Sequence, residues 1–538
     1  MGEDGVFMLK GIVLSIFPPE TKRGRALKKV AMRYGLAKPF VYNAKYQEWV
    51  EKLEKYTFSN PIEDDRISTE ELPVFSIVIP MFNTKDKYLE PLLKSIIEQT
   101  YSRWELILAD ASTNEERQAV IKKSAEQDTR IRYVKIKNDG IGRNTNQGIQ
   151  SATGDYIVFM DHDDTISPFA LNEVAIAIVD NKKIDVIYTD EDKMTDNGMW
   201  RHTPHFKPDW SPHQYLSCNW TSHLSVVRKK LIDEIGGLDG EMDGSQDYDL
   251  ILRLHATFPS AVFHHIPKIL YHWRVADGST AGNFDEKSYA IVAGKKAMTR
   301  YVEQQGWNAT VKSIKDRPGF YHVKFAPNQK RRALVILSAT TDEVLNKSLL
   351  NKLKQSNSSN IKVDFVTVDD FKRNKKTLLD TLAEDDHIYS ISGFYKTIES
   401  KWIDELSGVL ELENVRAVMP RLITADHYID DMGIVIDNDG EEHDLFARLP
   451  IHAGTPFGHV EWIRDIAKVS PKFYGTTKKQ WLSFEKDIDV NDSKKTGTYD
   501  VVWTLVDFVR VMPEIKNNIS FNPNLHPDID NLPNAWTK

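Results

Sequence analysis

Cysteine is almost absent from this 538-residue chain: Cys218 is the only one. That excludes a disulfide framework and a cysteine-rich zinc site, and it fits a reducing compartment. Long apolar runs are missing as well. None approaches the ~18 residues that suggest a membrane-spanning helix. A basic balance is also lacking. The formal net charge is −8, which argues against a nucleic-acid binder. What remains, 41% hydrophobic and 28% charged residues, is the make-up of a globular protein with enough chain for two or three domains.

The N-terminus has an apolar stretch, Gly5 to Pro18, but Glu3 and Asp4 stand where a signal peptide carries basic residues. Lys10 interrupts the run and no small-residue cleavage site follows, so the chain is expected to be cytoplasmic. Lys22, Arg23, Arg25, Lys28, Lys29 and Arg33 alternate with Ala26, Leu27, Val30 and Ala31. This segment reads either as a helix on the inner face of an anionic plasma membrane or as a solvated basic helix packed on the next domain. Helical spacing closes it with Tyr46, Trp49, Val50, Leu53 and Tyr56, and the polar stretch Ser59 to Glu71 reads as a linker.

From Phe75 the pattern alternates. Strands are predicted at Phe75–Pro80, Trp104–Asp110, Ile131–Ile136 and Asp155–Met160, with helices between them. Alternation implies an α/β fold with a mostly parallel sheet covered by helices on both faces, which binds ligands at the carboxyl ends of its strands. Asn83, Asp110 and the run Asp161-His-Asp-Asp164 all follow predicted strand ends. Closely spaced carboxylates repel unless a cation or proton joins them, so this run suits Mg²⁺ or Mn²⁺. Without its neighbours it reads equally well as a solvated turn.

The neighbours are Val78-Ile-Pro-Met-Phe-Asn83, Leu108-Ala-Asp-Ala-Ser112, Gly142-Arg-Asn-Thr-Asn-Gln-Gly148, Tyr188-Thr-Asp-Glu-Asp192, Gly244-Ser-Gln-Asp-Tyr-Asp249 and Tyr271-His-Trp-Arg274. In this order they resemble an inverting family-two glycosyltransferase with the GT-A fold, a Rossmann-like sheet. Within that family the chain looks like the rhamnosyltransferase-like branch that builds bacterial surface polysaccharides. The resemblance covers residues 74–325. It implies transfer of a sugar from a nucleotide diphosphate donor (UDP- or dTDP-linked) to a lipid-linked or polymer-linked glycan, assisted by Mn²⁺ or Mg²⁺.

Carried across position by position, it puts Pro80, Phe82 and Asn83 around the nucleoside and Asp110 on the base. Arg143 and Asn144 become nucleotide-side contacts. Asp161 is assigned to the ribose or the cation's waters, Asp163 to the cation, and His272 to a third ligand position. His162 is a spacer. Asp247 is implied as the general base and Asp249 as its alternative, although Gln246 replaces the family's usual glutamate. Asp247 is equally suited to cap the helix predicted over Leu250–Ala256.

Two further groups are read from their residue types. Asp190-Glu191-Asp192 is a solvated turn or a support for the cleft, the turn being preferred. His202, His205, Phe206, Lys207, Trp210, Trp220, Thr221, Ser222 and His223 mix aromatic and polar side chains, as a sugar site requires. Trp210, Trp220, Thr221 and His223 are the acceptor candidates, against a purely structural loop.

After Arg331 the pattern restarts. Ala333–Ser338 matches the first strand, Val363–Asp369 the second, and His387–Gly393 the strand before the acidic run. Ser392, Gly393 and Phe394 stand where Asp161, His162 and Asp163 stood. Tyr499-Asp-Val-Val-Trp-Thr-Leu is matched to Asp247–Leu252, and Asn522–His526 to the region near His272. The expected organisation is an N-terminal helical segment (1–71), a GT-A catalytic domain (72–328) and a degenerate, non-catalytic GT-A-like domain (329–538), with an unrelated α/β domain as the alternative. The last would hold the acceptor, a second copy or a partner protein. Two other functions share the same sequence features: a protein glycosyltransferase extending a protein-linked glycan, and a carbohydrate-binding or scaffolding pseudoenzyme.

Overall fold

The computed structural model describes residues 44–62, 72–275, 288–314, 317–338, 343–393, 395–397, 400–436, 441–449, 451, 462–484 and 499–510. The basic segment at 22–33, Phe394 and Asn522–His526 lie outside them.

The first sheet is built from β1 (Phe75–Met81), β2 (Trp104–Asp110), β3 (Ile131–Lys135), β4 (Tyr156–Phe159), β5 (Thr165–Ile166), β6 (Ile184–Thr195), β7 (Arg201–His205), β8 (Ser225–Arg228) and β9 (Val262–Val275). Its order is β3-β2-β1-β4-β8-β6-β9-β5, with β7 paired to β6. The half β3-β2-β1-β4 is parallel, as alternation predicts. The other half is mixed: β8 runs antiparallel to both β4 and β6, and β6 and β9 are parallel. Chain order reverses between β1 and β4, and such a switch point leaves a crevice at the carboxyl ends.

Apolar strands seat this sheet deeply. Ile77, Val78, Ile79, Leu106, Ile107, Leu108, Ile157 and Val158 are fully buried. Helix α1 (Asp86–Ile97) covers one face with Leu89, Leu92, Leu93 and Ile96, the i, i+3, i+4 stripe expected of an amphipathic helix. Helix α2 (Ile141–Gln150) covers the other. Its Gly148 permits the close approach, because a Cβ there would lie 2.6 Å from Val78 Cγ1 and 3.2 Å from Ala109 Cβ. Gly148→Ala is therefore expected to lower stability by about 1–3 kcal/mol through overpacking. Thermal unfolding tests this, and an unchanged melting temperature would contradict it.

The second sheet repeats the first. Here β12 (Arg332–Leu337) lies between β13 (Lys362–Thr367) and β14 (His387–Ile391), parallel to both. Beyond β14 come Phe473–Thr477 (antiparallel), Val415–Thr424 (antiparallel), Tyr499–Arg510 (parallel) and Tyr395–Thr397 (antiparallel). This is the order, sense and chain sequence of β2-β1-β4-β8-β6-β9-β5. Even the side strand recurs, with Ile429–Asp431 pairing on Val415–Thr424 as β7 pairs on β6.

The topology corrects two sequence matches. Tyr499–Arg510 is a strand in the place of β9, not the counterpart of the helix at Asp247–Leu252. Asp369 lies in the first turn of the helix Val368–Asp380 rather than at a strand end. Ser392 and Gly393 directly follow β14.

Between the sheets, the hairpin of β10 (Ala309–Ser313) and β11 (Tyr321–Phe325) packs under the helix Trp402–Leu410, where Gly408 lies against Phe325. One hydrophobic cluster runs from Val78 through Tyr248 and Phe325 to Trp402 and Phe473. No helix among the described residues is long and apolar enough to cross a membrane.

Candidate active site

A cleft of about 850 Å³ opens at the switch point. Its lining includes Pro80, Ile141, Thr145, Asp161, Asp247, Asn219–His223, Trp273, Phe320 and Trp462.

The acidic turn after β4 is held by the motif Tyr271–Arg274 on β9. The Tyr271 hydroxyl donates to Asp164 Oδ2 at 2.5 Å and accepts from the Asp161 N–H at 3.2 Å. The Arg274 N–H donates to Asp164 Oδ1 at 2.7 Å, and its guanidinium donates to the Asp163 carbonyl at 2.5 Å. Asp164 is thus a fully buried structural carboxylate. Burial, then Asp163 and Asp161, push its pKa well up. Asp163 is also raised, by burial first and by Asp161 second.

A divalent cation fits this donor set chemically, because it would relieve that repulsion. Among the described residues, however, no three His, Cys, Asp or Glu side chains converge on a ready-made metal position. The fit is to an Mg²⁺-type ion held by one or two carboxylates and completed by substrate phosphates. His272, the candidate third ligand, directs Nδ1 to Asp192 Oδ1 at 2.7 Å. Only its Nε2 remains to meet a cation, with the carboxylate orienting the ring.

Asp247 lies in the first turn of α3 (Gln246–Thr257), facing the cleft. Ser245 occupies the N-cap position, so capping is not what Asp247 does. Its Oδ2 accepts 2.8 Å from Asn219 Nδ2, while Asn219 Oδ1 accepts from the Tyr215 hydroxyl at 2.9 Å and the Thr221 hydroxyl at 3.3 Å. Two hydroxyls fix the amide orientation, and the amide fixes the carboxylate. Burial raises the Asp247 pKa; His223 works against the shift and Asp161 adds to it. The alternative, Asp249, is buried and taken up by Arg253 and Arg300.

The nucleoside-side candidates divide. Pro80 lines the cleft, whereas Phe82, 44% exposed, is not among its lining residues. Asn83, at φ +48°, accepts from the N–H groups of Thr113 and Asn114 and so ties the loops after β1 and β2 together. Asp110 is fully buried, accepting from Ser112 N–H and the Tyr133 hydroxyl, both at 3.0 Å. Asn144 is buried on Asn138 and Asp139. Arg143 faces a separate depression with Asp139 and Gly240.

Of the acceptor candidates, Trp220, Thr221 and His223 line the cleft, and His223 stacks on Tyr271 at 4.4 Å. Trp210 does not; its ring lies flat on Phe263 at 4.0 Å.

Asp190-Glu191-Asp192 is a correction. These residues are inside β6 and 2%, 3% and 0% exposed, not in a solvated turn. Lys207 Nζ lies 3.1 Å from Glu191 Oε2 and also donates to the carbonyls of Thr221 and His223. Burial would raise the Glu191 pKa, but Lys207 and His205 hold it far below the usual carboxylate range. Asp192 meets Arg201, His272 and Tyr46, and Asp190 meets His265. The signal was present in the sequence as the basic run Arg201-His-Thr-Pro-His-Phe-Lys207. Lys207→Met should cost about 3–5 kcal/mol by stranding the buried Glu191 charge. Denaturant unfolding measures it, and a loss under 1 kcal/mol would show that the pair is not buried as described.

Residues 76–236 match Glycosyl transferase family 2. The O-antigen biosynthesis protein RfbC of Myxococcus xanthus is 29% identical over 428 residues, 74% of this chain and 33% of RfbC. Chondroitin synthase of Pasteurella multocida is 24% identical over 252 residues, 46% of this chain and 25% of the synthase. The chain therefore spans a third or less of the length of these curated relatives. Among solved structures, S. aureus TarS 1-349 in complex with UDP-GlcNAc aligns with a TM-score of 0.33 and 17% identity, over 43% of this chain and 72% of that one. The sheet that carries the switch point is thus, through residues 76–236, similar to Glycosyl transferase family 2.

Proposed function

We propose that this chain transfers a sugar, with inversion, from a nucleoside diphosphate donor (UDP- or dTDP-linked) to a hydroxyl of a lipid-linked or polymer-linked glycan. The observation that carries the reading is that Asp161 and Asp247 face one cleft, with Asp247 held by Asn219. The acceptor hydroxyl gives its proton to Asp247 as its oxygen bonds to the anomeric carbon; the bond from that carbon to the phosphate oxygen breaks, and the nucleoside diphosphate leaves. A base must sit within hydrogen-bond reach of the proton it takes. Asn219 holds one Asp247 oxygen and so fixes the carboxylate at the cleft. Asp163 and Asp161 would hold Mn²⁺ or Mg²⁺. When bound, that ion supplies Lewis-acid neutralisation of the leaving diphosphate. Pro80, Phe82 and Asn83 frame the nucleoside.

The printed names of the relatives, O-antigen biosynthesis and chondroitin synthase, support a surface polysaccharide as product. The basic stretch at 22–33 supports contact with an anionic membrane at the cytoplasmic face. The second sheet, which lacks carboxylates at Ser392 and Gly393, is read as a non-catalytic copy. Release of nucleoside diphosphate on adding a lipid-linked glycan, lost in Asp247→Asn, tests the reading; equal release by the variant would remove it.

A further inference from the structure

Phe320 is a partly exposed aromatic ring lining the cleft that Asp247 also lines. It sits in the connection between β10 and β11, outside the family match. The connection is closed by Phe320 N–H to the Arg317 carbonyl at 3.1 Å and Ile314 N–H to the Phe320 carbonyl at 3.0 Å. Two links tie it to the base. The Tyr321 N–H donates to the Ser217 carbonyl at 2.9 Å, two residues before Asn219, and the Tyr321 ring stacks on Tyr248, the neighbour of Asp247, at 5.9 Å.

The segment entering the strand Arg464–Ile466, which pairs on Tyr499–Arg510 of the second sheet, backs this ring. Trp462, 1% exposed, lies 6.5 Å from Phe320 and 6.0 Å from His205. The segment it belongs to is riveted to the base-side loop: Ile463 N–H donates to Ser217 Oγ at 3.1 Å, and His213 Nδ1 lies 2.6 Å from Asp465 Oδ1.

The chemistry of this wall selects its occupant. An apolar ligand would cut the polar atoms of Asp247, Asn219 and Ser222 off from water, at a cost of several kcal/mol. A strongly anionic one would meet Asp161 and Asp247. A sugar ring has an apolar C–H face for Phe320 and hydroxyls for the amide and carboxylate. The base must lie beside the attacking hydroxyl, so the ring tied through Tyr321 to Ser217 and Tyr248 belongs to the acceptor. We propose that Phe320, supported by Trp462 beside the second sheet, is the stacking platform for the acceptor's terminal sugar. The word acceptor rests on the transferase reading; the platform itself does not.

The experiment is saturation-transfer NMR on the full chain with UDP present and methyl glycosides of rhamnose, glucose, galactose and N-acetylglucosamine as probes. The wild type should saturate the C–H protons of at least one. Phe320→Ala should weaken that glycoside about tenfold while UDP affinity holds within twofold. Phe320→Leu, which keeps apolar volume without the aromatic face, should weaken it too, and Phe320→Tyr should restore it. Binding of none of the four by the wild type, binding by Phe320→Ala or Phe320→Leu as tight as the wild type's, or a parallel loss of UDP affinity would overturn the platform. Glycoside binding through Phe320 without any sugar transfer would instead sink the transferase reading alone.

Discussion

Asp247→Asn should reduce sugar transfer by a factor of about 10³, within the range that positioned general bases contribute, while nucleotide affinity and melting temperature stay near those of the wild type. The amide is isosteric and can still accept from Asn219 Nδ2, which holds the wild-type side chain at 2.8 Å. What it cannot do is take the acceptor's proton. The pH profile carries a second test. Burial holds the Asp247 carboxyl above its ordinary range, and Asp161 adds to that. A base works only when ionised, so kcat/KM should rise with pH through this raised value. The acid limb should lie above the usual carboxylate pKa and vanish in the variant. A limb at the ordinary carboxylate position, or one that survives Asp247→Asn, would assign the base elsewhere.

Asp163→Ala should abolish cation-dependent nucleotide binding, with cation affinity falling by more than about 100-fold, beyond the 10–100-fold typical of losing an outer-shell partner. Its effect on the fold should have the opposite sign. Asp163 shares a tight turn with Asp161 and the buried Asp164, and burial with that repulsion raises its pKa. Removing it relieves strain between like charges, so the cation-free protein should melt at the same temperature or higher. Differential scanning fluorimetry with UDP, with and without Mn²⁺, separates the two effects. The wild type should gain stability from the pair together, and the variant should gain none. A variant still stabilised by Mn²⁺ and UDP would mean that the ion sits elsewhere.

Much of this architecture is visible in local pattern. The run Phe75–Pro80 is apolar throughout and becomes a central buried strand, and Leu89, Leu92, Leu93 and Ile96 repeat at helical spacing and form a buried helix face. Carboxylates after an apolar strand mark a strand-end turn in the same way. The sequence pattern falls short where side chains gain meaning from distant partners. Asp190-Glu191-Asp192 has the composition of a turn, and only Lys207, Arg201 and the histidines on neighbouring strands make its burial tolerable. Trp210 has the composition of a sugar platform and is spent on Phe263. Asn219, Tyr271 and Arg274 position the carboxylates, yet nothing adjacent in the chain indicates it. The second sheet shows the converse case. Local pattern matches Tyr499–Arg510 to a helix, while strand order and sense place it as the counterpart of β9.

Donor hydrolysis tests the central claim most directly. Purified full-length protein would be incubated with UDP-, dTDP- and GDP-sugars, with Mn²⁺ or with a chelator, and the released nucleoside diphosphate quantified. The account predicts release from a UDP- or dTDP-sugar that requires the cation and disappears in Asp163→Ala. Release that persists with the chelator, or none from any donor, would contradict it.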